Sequence, residues 1–288
     1  RQHQRHDMET LRKRTPGDGL VAGTCTINGS LFDEESARAA VVHYDYTVLA
    51  GTQGHRHHYK LDRMFDLASR FQLPLVVFTE GGGGRPGDDM VGPWVAFDTY
   101  TFTQFSKLSA AVPIVGVNHG RCFAGNTALL ACCDVIIATK NSTIGMGGPA
   151  MIEGGGLGVY TPEEVGPMSS QVPNGVVDIL VEDEAEAVQI AKKYLSYFQG
   201  SLKHWEAHDQ LVLRHIVPEN RLRLYDMRVL IQTIADIDSV LEIREKFGIA
   251  MITAFIRIEG KPLGIIANNP HHLSGAIDSD AADKGARF

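Results

Sequence analysis

An α/β fold with parallel strands is what this sequence predicts, and three observations predict it. Short apolar runs at residues 74–79 (PLVVFT), 113–118 (PIVGVN) and 135–138 read as strands covered on both faces. Segments with helical character at 56–71, 96–111 and 127–133 alternate with them. Glycine-rich stretches follow two of the runs, the place where open α/β folds build ligand sites. Strict alternation of this kind implies right-handed crossovers between parallel strands.

The elements follow in order. Residues 1–14 form a polar helical lead-in, and Thr15-Pro16-Gly17-Asp18-Gly19 is a turn. Residues 20–27 alternate as a strand, Asn28-Gly29 signals a hairpin, and 41–48 is the returning run. In the 56–71 helix, Leu61, Met64, Phe65 and Ala68 recur on one face. Residues 154–173, rich in Gly and Pro, read as loop, and 174–181 as one more strand. A helix over 182–197 carries Asp183 and Glu184 at its start and Lys192 and Lys193 near its end, which suits the helix dipole. Residues 202–224 are a mixed polar connector, and 225–237 a further amphipathic helix.

Bulk properties narrow the function. A net charge of −7 with a pI near 5.9 argues against a nucleic-acid surface. No apolar run is long enough to cross a bilayer. The four cysteines, Cys25, Cys122, Cys132 and Cys133, lack metal-ligand spacing, so no metal is expected and a reducing, cytoplasmic setting is the default. The chain opens on Arg1 and stops at Phe288 within an amphipathic stretch, which reads as a piece of something longer.

An internal repeat is the most informative feature. A β-like run leads to Ile27-Asn28-Gly29, then to Gly51, with Lys60 nine residues on. Later, residues 251–258 lead to Glu259-Gly260, then to Gly275, with Lys284 again nine residues on. The first copy carries the longer hairpin.

Chemistry is expected in two glycine segments, Glu80-Gly81-Gly82-Gly83-Gly84-Arg85 and His119-Gly120-Arg121-Cys122-Phe123-Ala124-Gly125-Asn126. Gly125 and Asn126 stand at a helix start, where unpaired amides can hold an oxyanion. With backbone amides as the donors, the Asn126 side chain matters little. Neither segment is a nucleotide-phosphate loop. A surface turn at 81–84 and close helix–strand packing at 124–126 are the competing readings. Arg56, Lys60 and Arg63 are helically placed to meet phosphates, against the plainer reading of a solvated basic face. His55, His57 and His58 lack a carboxylate partner at useful spacing and read as surface or packing residues.

The GDG turn at 17–19, His57-His58-Tyr59-Lys60, Ala124-Gly125-Asn126, and Gly264-Ile265-Ile266-Ala267-Asn268-Asn269-Pro270 with Gly275-Ala276-Ile277-Asp278 together resemble the carboxyltransferase subunits of biotin-dependent acyl-CoA carboxylases, the propionyl-CoA carboxylase beta type. Glu80-Gly81-Gly82-Gly83-Gly84-Arg85 departs from that family's Ser-Gly-Gly-Ala-Arg, and Ala124-Gly125-Asn126 from its Ala-Gly-Gly. Such variants look like the carboxyltransferase part of single-chain carboxylases. The resemblance implies a crotonase-like (ClpP/crotonase) fold in two halves. Residues 1–200 would be the acyl-CoA half, 201–247 connector helices, and 248–288 the start of the biotin half. It implies carboxyl transfer from carboxybiotin on a carrier domain to the α-carbon of an acyl-CoA through an enolate held at Gly125 and Asn126, with Gly82, Gly83 and Gly84 shaping the adjacent wall and Ala124 in the same substrate site. It also implies biotin carboxylase and carrier domains as partners, fused or separate, and a homo-hexamer. Two readings compete: an enoyl-CoA hydratase or isomerase using Glu153, Glu163 or Glu164, and a non-catalytic CoA-binding or assembly half.

Overall fold

A computed structural model describes residues 6–85, 100–220 and 222–288. The chain forms two compact units. The first holds Arg1–Ile27, Arg38–Gln171 and Leu180–Ala191; the second holds Asn28–Ala37, Val172–Ile179 and Lys192–Phe288.

In the first unit, β1 (Leu20–Thr26) pairs antiparallel with β2 (Arg38–Tyr44), Leu20 opposite Tyr44. The apolar runs then become β3 (Leu75–Phe78), β4 (Ile114–Asn118) and β6 (Val135–Thr139), separated by the short β5 (Arg121–Phe123) and followed by β7 (Thr143–Gly145). Strands β2, β3, β4 and β6 are mutually parallel, and β8 (Ile179–Val181) completes the order β1-β2-β3-β4-β6-β8. All residues of β4 and β6 are buried, which is why these runs are apolar throughout instead of alternating.

Short α1 (Met8–Arg14) is capped by Asp7, whose carboxylate accepts the Thr10 amide. After α2 (Glu34–Ala37), the long α3 (His55–Phe71) buries His57, Leu61, Phe65 and Ala68 and ends on Gln72 at φ 51°. Phe65 meets Phe105 of α4 (Tyr100–Leu108) at 4.8 Å between ring centroids. Helix α5 (Gly125–Ala131) follows β5; α6 (Pro149–Gly154), α7 (Met168–Gln171) and α8 (Glu184–Ser196) come next.

In the second unit, α9 (Leu213–Ile216) and α10 (Met227–Ile234) precede a sheet of β9 (Leu241–Ile243), β10 (Met251–Ile258) and β11 (Lys261–Asn268), ordered β11-β10-β9. Ile231 and Ala235 pack on Ile252, Ala254 and Ile256, giving this unit its own core. Glu259 (φ 52°) and Gly260 (φ 75°) make a two-residue turn with both dihedrals positive, the twist-matched connection of a tight hairpin. Helix α11 (Ser279–Arg287) sets Ala281 against Ala250 and Met251.

Several boundaries differ from the sequence reading, each for a local reason. Asn28-Gly29 does not close a two-residue hairpin: Asn28 sits at φ 60°, its carbonyl accepts the Leu31 and Phe32 amides, and α2 intervenes before β2. The returning run stops at Tyr44 because the Asp45 carboxylate takes the Thr47 amide and its carbonyl takes that of Val48. The strand expected over 174–181 shrinks to Ile179–Val181, since the Asn174 side chain takes the Val176 amide and Gly175 turns at φ 79°. The loop expected over 154–173 includes α7, and the connector over 202–224 includes α9. The helix expected over 96–111 is described from Tyr100, and its first residues lie outside the described ones.

The repeat is visible as a path. In each copy an antiparallel strand pair leads to a Leu-X-Gly turn, Leu49–Gly51 or Leu273–Gly275, then to α3 or α11. In each, the lysine of that helix donates to the carbonyl of the first strand residue: Lys60 to Leu20, Lys284 to Met251.

Candidate functional site

The site is assembled at the carboxyl ends of β3 and β4. Beyond β3, the segment from Thr79 to Arg85 is fixed strand-like on both sides. Gly81 donates to the Arg121 carbonyl at 2.8 Å and accepts from Phe123 at 2.9 Å, so it lies along β5. Gly82 donates to the Ala50 carbonyl, and Gly83 accepts from the Gln53 amide and donates to Asn126 Oδ1. Gly83 is buried at φ 83°, while Gly82 and Gly84 are exposed. A flexible surface turn does not describe such a segment.

Beyond β4, the His119-Gly120 turn and β5 deliver Ala124, the residue before α5. Ala124 holds φ 52° and ψ −119°, a conformation costly for a residue with a Cβ. Gly125 and Asn126 come first and second in the helix, ahead of the first intrahelical bond, Ala128 N–H to the Ala124 carbonyl. Their amides thus lack an intrahelical acceptor. Glycine is needed at 125 because a Cβ there would stand 2.8 Å from Gln53 Oε1, and at 83 because one would stand 2.5 Å from the Ala124 Cβ.

The Asn126 side chain does more than the sequence reading allowed. It is fully buried; its Oδ1 accepts from the Gly83 amide at 3.1 Å, and its Nδ2 donates to the Thr79 carbonyl at 3.2 Å and the Gly51 carbonyl at 3.4 Å. One amide side chain therefore ties the start of α5 to both glycine turns. Ala124, Gly125, Asn126 and Gly83 are together, with Gly82 and Gly84 on the same segment.

Arg56 is exposed at the start of α3. Lys60 has a different task from the phosphate contact expected of it. Its ammonium donates to the Gly17 and Leu20 carbonyls, and burial lowers its pKa. A cation so occupied holds the GDG turn against the first strand. His57 is buried against Tyr44 at 4.6 Å, and burial pushes its pKa down to about 3, so it is neutral. His58 shares a hydrogen bond with Thr101. The three glutamates of the hydratase reading lie elsewhere: Glu153 is exposed on α6, Glu163 pairs with Arg121, and Glu164 caps Thr161.

Three elements of the site escaped the sequence reading. Gln53, buried, donates to the Tyr44 hydroxyl and pairs in parallel with Gly84. Arg85 makes a buried ion pair with Asp18 at 2.6 Å and donates to the Thr52 carbonyl. Glu80 meets His119 at 3.0 Å. Only the last carried a signal, since a Glu and a His each stand directly at the end of a buried strand.

The model of the carboxyl transferase domain matches residues 1–288. A solved single-chain, multi-domain long-chain acyl-CoA carboxylase is 56% identical with a TM-score of 0.96, over all of this chain and 28% of that one. The beta4 subunit of a biotin-dependent long-chain acyl-CoA carboxylase from Mycobacterium tuberculosis is 30% identical over 94% of this chain and 53% of its own. Transcarboxylase 12S, solved as a hexamer with methylmalonyl-CoA bound, aligns with a TM-score of 0.79 at 29% identity, over 94% of this chain and 53% of that one. The architecture is the crotonase-like α/β fold. The chain spans about half the length of the curated relatives it matches. Among the described residues, no helix is long and apolar enough to cross a membrane.

Proposed function

Since the chain belongs to the carboxyl transferase family, we propose that it forms the acyl-CoA side of a carboxyltransferase that moves a carboxyl group from carboxybiotin to the α-carbon of an acyl-CoA. The observation that carries this reading is Ala124, a non-glycine residue held at φ 52° immediately before two amides that precede the first bond of α5. Backbone outliers of this kind recur where a site is preorganised.

In this reading the thioester oxygen accepts from the Gly125 and Asn126 amides as the α-carbon loses its proton, and the growing negative charge is matched by donors already in place. Gly82, Gly83 and Gly84 wall the thioester, with Arg56 free to meet the phosphates of CoA. Residues 1–200 form the acyl-CoA half, 201–247 the connector and 248–288 the opening of a biotin half. Carboxybiotin, when presented by its carrier, would supply the carboxyl group, and the ring nitrogen that the carboxyl group leaves would take the α-proton. The buried cations of residues 248–288, Arg257 and Lys284, are both held by backbone carbonyls and serve the fold of this stretch, not a biotin contact. Carrier and biotin carboxylase domains as partners, a homo-hexamer and a cytoplasmic location complete the reading. The hexamer of transcarboxylase 12S and four free thiols support it.

The test is label exchange between carboxybiotin and acyl-CoA in the full-length protein. Gly125→Pro removes one donor, and Gly125→Ala, which adds the Cβ that meets Gln53 but keeps the N–H, is its control. Proline should cost on the order of 2.7–4 kcal/mol in the barrier beyond the alanine variant, with circular dichroism confirming that both fold. A fully active Gly125→Pro protein ends the oxyanion assignment.

A further inference from the structure

Outside the residues already assigned, the carboxyl ends of β2, β3 and β4 gather one cluster of titratable side chains. Glu80 Oε2 lies 3.0 Å from His119 Nε2, and both side chains are largely covered, at 18% exposure each. His43 of β2 stacks on His119 at 5.8 Å and meets Phe78 of β3 at a tilt at 5.3 Å, while Phe78 meets His119 edge-on at 6.3 Å. Gly120 is part of the arrangement, because a Cβ there would stand 1.9 Å from Glu80 Oε1. Any larger residue next to the histidine would push the Glu80 carboxylate off its present position.

The connectivity gives the pair its meaning. Glu80 immediately precedes Gly81, and His119 opens the turn into β5. Gly81 and β5 are already joined by two backbone bonds, Gly81 N–H to Arg121 and Phe123 N–H to Gly81. The side-chain pair therefore closes a second link between the same two segments, one residue before the backbone link begins. One segment carries Gly82, Gly83 and Gly84; the other delivers Ala124, Gly125 and Asn126.

We propose that Glu80 and His119 are positioning residues, a side-chain latch that sets the glycine wall at the correct distance from the Gly125 and Asn126 amides. The inference rests on the carboxyltransferase reading for its chemistry and on the structure for its geometry. The hydrogen bond and neighbouring charge favour a charge-assisted form. The Glu80 hydrogen bond raises the His119 pKa, burial opposes this, and the Glu80 and Glu184 charges add to the rise. His43, facing it from β2, is pushed down by burial and by His119, with Asp45 and Glu80 acting the other way. A histidine with a raised value holds its charge, and the stability that comes with it, at low pH and loses both as pH rises through the folded value. The latch is thus strongest while His119 is charged and falls back to a hydrogen bond from a neutral imidazole on the alkaline side.

The full-length protein with Glu80→Ala, Glu80→Gln, His119→Gln and the Glu80→Gln/His119→Gln pair tests this through two readouts. The first is kcat and KM for acyl-CoA across pH 6–9. A misplaced wall should lower kcat on the order of 10- to 100-fold and leave KM within about twofold. Glu80→Gln should recover part of what Glu80→Ala loses, and the double variant should be no worse than the worse single one, because the two residues act as a unit. His119→Gln should also lack the alkaline decline of the parent. The second readout is amide exchange at residues 79–85 and 119–125, expected about tenfold faster in each single variant. If exchange and kcat are unchanged in both Glu80→Gln and His119→Gln, there is no latch. If the parent protein carboxylates nothing, the functional reading falls, and the exchange rates alone decide the latch.

Discussion

The two copies of the strand-pair, turn and helix path share their backbone and differ in what surrounds it. Both turns hold a non-glycine residue in the left-handed region, Ala50 at φ 56° and Ser274 at φ 55°, followed by a glycine at φ 62° or 85°. Both helices send a lysine to the start of the first strand. Around Gly51, however, the Glu80 carbonyl and Gly81 Cα close in, at 2.5 and 2.8 Å from where a Cβ would sit. Around Gly275 nothing comes nearer than the Asn268 Cβ at 3.7 Å. The first turn is built into the glycine wall and the second is not. One path therefore serves as scaffold in both copies, while site precision is added by what packs on the turn.

The largest effect expected from this comparison is at the paired glycines. Gly51→Ala combines left-handed strain with a collision against backbone that cannot move without shifting Gly81. It should cost on the order of 3–4 kcal/mol of stability. Gly275→Ala meets ordinary contact distances, so the strain alone remains, about 1 kcal/mol. Urea unfolding of both variants gives the difference directly. Equal costs would mean that the Gly51 turn carries no more packing than its counterpart.

The two lysines sharpen the comparison through pH. Lys284 is almost fully buried, and burial pushes its pKa from 10.5 to about 8. The folded chain therefore releases this proton before the unfolded chain does. Between those values the unfolded state binds more protons and stability rises with pH. The full rise amounts to on the order of 3 kcal/mol. Lys284→Met removes the titrating group, so its stability should stay flat from pH 8 to 10 where the parent's climbs. Lys60, only half-buried, shifts in the same direction, and Lys60→Met should flatten the curve by less. Unfolding midpoints at the two ends of that window test both variants.

The same contrast explains what the sequence could and could not disclose. Short continuous apolar runs located β3, β4 and β6 because strands covered on both faces need no polar alternation. The Gly-to-Lys spacing exposed the repeat because a nine-residue interval is set by the turn and the first helical turns, and both copies keep it. The position of Asn126 near a helix start is legible in the sequence, but the work of its side chain is not, since nothing local says that it meets Gly51, Thr79 and Gly83, residues 43 to 75 positions away. Lys60 was misjudged for the same reason: an amphipathic position next to Arg56 looks like a basic face, and only the fold brings the Gly17 and Leu20 carbonyls to it. Long-range polar contacts leave no period and no spacing behind.

The smallest expected effect is at the left-handed residues themselves, and it separates intrinsic strain from imposed strain. Ala50 and Ser274 are both exposed, so a change to glycine removes no buried contact. Holding a Cβ in this region costs roughly 1–2 kcal/mol, and the added freedom of glycine in the unfolded chain takes back roughly 0.5–1 kcal/mol. If the turn follows its own dihedral preference, Ala50→Gly and Ser274→Gly should each stabilise by about 0.5 kcal/mol, raising both unfolding midpoints slightly. The Ala50 carbonyl, however, also accepts the Gly82 amide at 3.0 Å. A looser residue at 50 lets that bond wander, so Ala50→Gly should gain stability yet lose activity, whereas Ser274→Gly gains stability alone. Loss of stability in Ala50→Gly would mean that contact with the glycine wall, not the turn's own geometry, keeps residue 50 in place.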